Sequence, residues 1–358
     1  MNIKPLNLKP TSIAFLVSSV GLVFSSHSFA VSCGDTINTP TLLLEELNCP
    51  LTVADPYALT VVGPIGSLRM LGNGKILCDN ASGDGIGGVL MTGITASVIG
   101  GEIDTCPSGI ILEGSGFHSI LNIEILNFTE NGLEVDSNYN LIAGNTIIGL
   151  GMAGTGDGVV LTGTYNTINN NHIEAADDDD DDDGISVTST AEFTTITLNE
   201  LENNGDEGIF FEADNTVITY NFSNFNLDNG IRGTSDSNTI ARNIVTNNQG
   251  GGVRLGQTAS GNLLNNNQIH DNIESGIRLA GDTTNNTIKN NQLSGNTDSG
   301  INVTGGGSFD NIIKDNTAMD NTPYDLVDVN EDALCTNQAN TWIDNNAGTA
   351  DPMCLIMP

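Results

Sequence analysis

Nine times between residues 109 and 303 the chain repeats a glycine followed by an apolar–any–apolar triplet, with a period in the twenties. The copies begin at Gly109, Gly132, Gly158, Gly184, Gly208, Gly230, Gly252, Gly276 and Gly300. A second phrase follows each, seen most clearly as Asn238-Thr239-Ile240-Ala241-Arg242-Asn243-Ile244-Val245. Short β-type phrases at such a period, with no helical stretch between them, predict a solenoid. One repeat cannot bury an apolar face alone, so the core arises by stacking. Any binding site must then be assembled from equivalent positions on successive coils.

The position after each glycine holds Ile110, Leu133, Val159, Ile185, Ile209, Ile231, Val253, Ile277 and Ile301. Two residues on stand Leu112, Val135, Leu161, Val187, Phe211, Gly233, Leu255, Leu279 and Val303. The column between them is mixed, which is the alternation of a strand with one buried face. In the second phrase an asparagine recurs at Asn145, Asn171, Asn199, Asn221, Asn243, Asn267, Asn291 and Asn316, three residues after an Ile or Leu. This asparagine is expected to take left-handed geometry in a tight bend, and its amides to form a ladder from coil to coil. The expected fold is all-β, a right-handed parallel β-helix with three short strands per coil and disulfide-stapled terminal caps. At roughly 4.8 Å per coil, nine coils span about 40 Å.

Residues 1–30 have the layout of a secretory signal peptide, with Lys4 and Lys9, an apolar Ile13–Phe24 stretch, and Ser28-Phe29-Ala30 before the expected cut. The expectation is therefore a secreted or periplasmic protein, with no membrane insertion, because no apolar run is long enough to span a bilayer. The chain has 10 basic and 44 acidic residues, a formal net charge of −34. Such a surface repels nucleic acid, so no nucleic-acid partner is expected, and it attracts divalent cations. Six cysteines fall into the sequence-local pairs Cys33/Cys49, Cys78/Cys106 and Cys335/Cys354. In an oxidising compartment these read as staples of a linear stack, two at its start and one at its end. A metal site is excluded for them by the lack of Cys-x-x-Cys and by only four histidines.

The phrase Gly-Ile-x-Leu followed by Asn-Thr-Ile-x-x-Asn-x-Ile resembles the right-handed parallel β-helix repeat of pectate-lyase-like proteins. It is similar also to the periplasmic copper-binding accessory domain of nitrous-oxide reductase. The match is clear over 109–320 and loose over 51–108. Cys33-Gly34-Asp35-Thr36-Ile37 with Leu47-Asn48-Cys49-Pro50 resembles the N-terminal cap of secreted members. Asp325-Leu326-Val327-Asp328 with Cys335, Asn340-Thr341-Trp342 and Cys354 resembles their C-terminal one. The resemblance implies a cap at 31–50, a β-helix over 51–322 and a second cap at 323–358. Trp342 is expected to plug the end of the stack.

Two neighbouring coils carry longer insertions, between Asn145 and Gly158 and between Asn171 and Gly184, the second containing the run Asp177–Asp183. Seven adjacent carboxylates repel one another unless water or cations screen them. The run is either a solvated loop or part of a calcium site, for which Asp157, Asp182, Asp183, Asp206 and Glu207 are the candidate ligands. Glu134, Asp136 and Glu212 add to the same acidic neighbourhood. The outward column of the first strand reads Ile111, Glu134, Val160, Ser186, Phe210, Arg232, Arg254, Arg278, Asn302. Three consecutive arginines on one stripe need acids or a bound anion to compensate them. With Phe210 and Asn302 they form the candidate binding set. Acids in neighbouring turns, such as Asp228 and Glu274, are the alternative partners for the arginines.

This layout suits an acidic polysaccharide or cell-surface glycan, with arginines pairing uronate carboxylates and calcium bridging others. The resemblance implies β-elimination on such a polymer, because in pectate-lyase-like enzymes this strand face is the active site. Against it, no lysine or histidine stands in the outward column to take a proton. Lys289 and Lys314 lie elsewhere on the coil, and His118, His172 and His270 form no cluster. Asn296-Thr297-Asp298 has no accompanying Gly-His-Gly or Arg-Ile-Lys, and Met91, Met152 and Met319 show no stacked pattern for copper. No catalytic residue is assigned. Three functions stand side by side: a polysaccharide-binding β-helix, a calcium-dependent lyase or epimerase, and a structural or adhesive stack.

Overall fold

The computed structural model describes residues 31–80, 83, 85–149, 156–175 and 182–356. The expected leader and positions 177–181 of the aspartate run lie outside the described residues. Among the described residues forty short strands build three wholly parallel sheets of 14, 13 and 13 strands, and each coil visits the first, second and third sheet in turn. In one coil these are Val253–Leu255, Leu263–Asn265 and Gln268–His270, after which Ile277–Leu279 returns to the first sheet. Among the described residues the only helical segment is a 3-10 turn at Met353–Ile356. The architecture is the expected β-helix.

The apolar columns pair in register: Ile110 faces Leu133, then Val159, Ile185, Ile209, Ile231, Val253, Ile277 and Ile301. All of them are fully buried in one continuous core. The glycine before each is there because successive backbones approach closely. A Cβ at Gly158 would stand 2.6 Å from Gly184 O and closer still to Ile173 Cγ2. Where the core column holds Gly233, the ring of buried Phe211 fills the space that a Cβ would need. The polar exception Ser223 is buried with its hydroxyl donating to Gly230 O at 2.8 Å.

The recurrent asparagine forms the expected amide ladder. Asn243 Nδ2 donates to Ile218 O and Asn267 Oδ1, while its Oδ1 accepts from Asn221 N at 2.9 Å. The left-handed geometry, however, belongs to the residue before it: Asn170, Leu198, Tyr220, Arg242, Asn266, Asn290 and Asp315 have φ between 53° and 59°. The asparagine side chain must turn inward to reach two rungs, so the exposed neighbour makes the bend. Two further ladders occupy the other corners. One runs through Asn238, Asn262, Asn286, Asn311 and Asn340, the other through Asn204, Asn226, Asn248, Asn272, Asn296 and Asn321. His118 takes a rung of the former: its N donates to Asn140 Oδ1, Nδ1 accepts from Ala96 N, and Nε2 donates to Glu113 O. Burial holds its pKa down, so it is a neutral structural residue.

All three disulfides join the expected partners, but only two of them staple an end. Cys33–Cys49 and Cys335–Cys354 close the two terminal segments, with Cα–Cα distances of 5.3 and 5.8 Å that suit a bridge. The third lies within the β-helix, near its start. Cys78 lies on the third-sheet strand Lys75–Asp79, and Cys106 follows Glu102–Asp104, the equivalent strand one coil later. Their bridge, with a Cα–Cα distance of 4.8 Å, therefore ties two successive coils inside the β-helix. Strand spacing brings equivalent positions of neighbouring coils to about that separation, so a disulfide fits between rungs as readily as at an end. Both cysteines are buried, and Cys106 belongs to the continuous core.

The segments at both ends carry rungs of their own. Thr36–Ile37, Pro40–Leu43 and Glu46–Pro50 pair with the following coil in all three sheets. At the other end Tyr324–Asp328, Thr341–Ile343 and Asn346–Ala347 continue the stack. Trp342 stacks on Ile313, packs against the core and donates Nε1 to Asp328 Oδ2 at 3.0 Å.

Truncating a mid-ladder residue removes bonds to two rungs and orphans buried partners. Asn243→Ala is expected to destabilise the protein by about 1–3 kcal/mol or more, since each buried group left unpaired costs that much. Urea denaturation checks it, with exposed Gln268→Ala as the comparison.

Candidate functional site

The outward column of the first sheet stands in register as expected. Phe210 pairs with Arg232, Arg232 with Arg254, Arg254 with Arg278, and Arg278 with Asn302. The Arg232 guanidinium lies 5.2 Å from the centre of the Phe210 ring. The guanidiniums therefore share one side of the rod, at about 5 Å per rung.

The turn leading into each strand stacks just as strictly. Immediately before the glycines come Asp157, Asp183, Glu207, Asn229, Gly251, Ser275 and Ser299, each carbonyl after the first accepting from the glycine N–H of the preceding coil. One residue earlier stand Asp182, Asp206, Asp228, Gly250, Glu274 and Asp298, and backbone hydrogen bonds join these from Asp182 through to Glu274. Two carboxylate-rich columns thus line the leading edge of the sheet. Asp136 and Glu212 fall instead just after the strands Leu133–Val135 and Ile209–Phe211, on the trailing edge. Acids flank the outward column on both sides, because the strand's own three residues separate them.

The arginines are not equivalent. Arg232 Nη1 meets Glu207 Oε1 at 3.0 Å, and that glutamate is buried. Arg278 Nη1 meets Glu274 Oε2 at 3.3 Å, and its Nε reaches Thr304 Oγ1. Glu274 is one of the two acids named from sequence as partners for the arginines, and Glu207 is a partner not named for that role. Among the described residues Arg254 has no ion-pair or hydrogen-bond partner, and its Nε is buried and unsatisfied. Asn302 is buried, with Nδ2 committed to Asp298 Oδ2 at 2.9 Å and to Ser275 Oγ at 3.2 Å.

Upstream of Arg232, oxygens of Asp183, Asp206 and Glu207 lie within 4.8 Å of one another. Asp157 joins through its Oδ1, which accepts from Asp183 N at 2.8 Å, and Asp183 Oδ1 accepts in turn from Glu207 N. Asp182, also buried, stands on the neighbouring column. Burial pushes the Asp183 carboxyl well up, reinforced by the charges of Asp157, Glu207 and Asp206. Burial and a hydrogen bond to Glu207 push Asp206 up to about 8. Asp228 is raised to about 6 by burial and by the Glu207 charge. Glu207 goes the other way: burial opposes its ionisation, but the Asp206 hydrogen bond and the Arg232 guanidinium outweigh it. One ionised carboxylate is matched to one arginine, and its neighbours hold protons near neutrality or share a cation.

Asp206 and Asp228 are proton-exchanging groups that the sequence singled out only as a calcium ligand and an ion-pair partner. The signal was present in the two positions before each glycine, read as columns. Because their folded-state pKa values are raised from 3.8, the stability they contribute is full below that value, declines as pH climbs above it, and is gone by about pH 6 for Asp228 and about pH 8 for Asp206. The melting temperature is expected to fall between about pH 4 and pH 8. Asp206→Asn should flatten the part of that fall between about pH 6 and pH 8, and calcium should offset it in the native protein; scanning calorimetry across the range checks both.

Residues 183–347 match the family model described as right handed beta helix region. No curated protein matches the sequence. Among solved structures, the A-module of mannuronan C-5 epimerase AlgE4 from Azotobacter vinelandii is similar with a TM-score of 0.57 at 16% identity, over 87% of this chain and 90% of that one. DFA-IIIase from Arthrobacter chlorophenolicus A6, without its lid, gives 0.58 at 14% identity, over 75% and 83%. The periplasmic alginate epimerase AlgG gives 0.50 at 15% identity, over 89% and 79%. Three parallel sheets wound into one rod give the chain the parallel β-helix fold that these solved structures share.

Proposed function

We propose that this is an exported protein whose first-sheet outer face binds an acidic polysaccharide, a uronate polymer. The observation that carries the reading is the in-register column Arg232, Arg254, Arg278, in a strongly acidic chain. Stacked guanidiniums form a linear cationic track with the repeat of the rod, and guanidinium pairs carboxylates through two parallel hydrogen bonds. One of the similar solved structures is by name a mannuronan C-5 epimerase and another an alginate epimerase, which supports a uronate polymer. Calcium fits the acidic end. Asp183, Asp206 and Glu207, with Asp157 and Asp182 beside them, offer an all-oxygen set whose charge is met in part by Arg232 at Glu207. Calcium bound there would neutralise the buried carboxylates.

Catalysis on the same polymer is the second reading, favoured by Asp206 and Asp228. Carboxyls with pKa values of about 8 and 6 exchange protons near neutrality, as lyase or epimerase chemistry requires. An arginine paired with the uronate carboxylate would ease loss of the neighbouring carbon-bound proton.

Native protein is expected to be retained on immobilised alginate or pectate and released by salt; passage without delay rules the polymer out. New ultraviolet absorbance from unsaturated products, with and without calcium, separates a lyase from a binder, and deuterium uptake at C5 reports an epimerase. N-terminal sequencing of the exported protein is expected to begin at Val31.

A further inference from the structure

Along the leading edge, the acid two residues before each glycine is Asp182, Asp206 and Asp228, then Gly250, then Glu274 and Asp298. The column beside it reads Asp183, Glu207, Asn229, then Gly251, then Ser275 and Ser299. Both columns lose their side chains on one rung, and that rung carries Arg254. The consequence is visible in the ion pairs. Arg232 reaches Glu207 from the rung before, and Arg278 reaches Glu274 of its own rung, four residues away. For Arg254 the position equivalent to Glu274 is Gly250, which has no side chain, and the position equivalent to Glu207 is Asn229, whose amide donates to Glu207 and Asp228. A Cβ at Gly250 would collide with Asp228 Oδ1, so the packing holds the position at glycine.

Arg254 therefore makes no hydrogen bond or ion-pair contact among the described residues, and only the charge of Asp228, on the rung before, acts on it from farther off. Its Nε is sealed from water and unsatisfied, while the side chain as a whole remains partly exposed. Leaving a charged donor unmatched costs more than leaving a neutral one, and a bound anion offsets that cost. Arg232 and Arg278 already spend charge on their glutamates. A ligand carboxylate approaching them would meet Glu207 or Glu274 as well.

We propose that the column carries one anion subsite, at Arg254, which takes a single uronate carboxylate, and that Arg232 and Arg278 chiefly hold the acids on either side. This narrows the reading above from a three-arginine track to one anchoring rung. It rests on that reading for the identity of the ligand, and on the broken acid columns for the place.

Two measurements test it. Phenylglyoxal labelling followed by peptide mass spectrometry needs no ligand: Arg254 is expected to react several-fold faster than Arg278, and equal rates overturn the subsite. An oligogalacturonate should protect Arg254 from labelling, whereas inorganic phosphate at the same concentration should not; equal protection by phosphate overturns the assignment to a uronate. In retention on alginate or pectate, Arg254→Gln should lower affinity at least tenfold and Arg254→Lys should recover part of it, while the loss from Arg278→Gln stays within about threefold. Equal losses from Arg254→Gln and Arg278→Gln overturn the single subsite and leave the polymer reading standing. Fast Arg254 labelling in a protein that neither matrix retains sinks the polymer and keeps the free guanidinium.

Discussion

Every feature of this molecule depends on parallel coils stacked in register, at about the spacing of hydrogen-bonded strands. At that distance each side chain lies against its equivalent one rung above and one rung below. A residue type is acceptable only if it can stack on itself or on its neighbour's counterpart. Aliphatic side chains do so in the bore, and amides do so at the corners, where each donates upward and accepts from below. Glycine does so where two backbones meet too closely for a Cβ. Outside, Phe117, Tyr139, Tyr165 and Phe193 stack with ring centres 4.7–4.8 Å apart, covering one another's faces.

Charges are what this rule makes difficult. Carboxylates on successive rungs repel, and the leading edge of the first sheet holds them in two adjacent columns. The chain resolves this locally: Glu207 keeps its charge against Arg232, while Asp183 and Asp206 are pushed toward the neutral form by burial and by neighbouring carboxyls, Glu207 above all for Asp206. The columns end where Gly250 and Gly251 interrupt them. An arrangement that is awkward for stability is well suited to chemistry, because it places protonatable acids, a cation-attracting cluster and an unmatched guanidinium on one continuous face.

Much of this was legible in the chain itself. The period of the glycine phrase located the strands, and its alternation identified the buried columns from Ile110 to Ile301. Local cysteine spacing named all three pairings, although it could not tell that Cys78–Cys106 spans two rungs of the β-helix while the others close its ends. The arginine column followed directly from counting one residue past the first apolar position. Less legible were the corners. The ladder at Asn145–Asn316 was expected, but its left-handed residue was placed one position too late. The other two ladders went unread, although members such as Asn238 and Asn248 stand a constant five residues before and after the ladder that was expected. The acid columns were seen as a patch, and Asp136 and Glu212 were grouped with residues on the opposite edge.

Sequence alone determined the repeat, the register and hence the list of residues that share a column, because these depend only on spacing along the chain. Which column lies beside which, and which atoms meet, was decided by the tertiary structure. That Arg232 pairs with Glu207 depends on the reach of a guanidinium across a turn. Gly250 and Gly251 already mark the Arg254 rung in the sequence, but that Asp228 of the preceding rung makes no ion-pair contact with Arg254 is decided by the fold. Proton affinities of Asp183, Asp206 and Asp228 likewise arise from burial and from carboxylates contributed by other coils, distances that no spacing in the chain encodes.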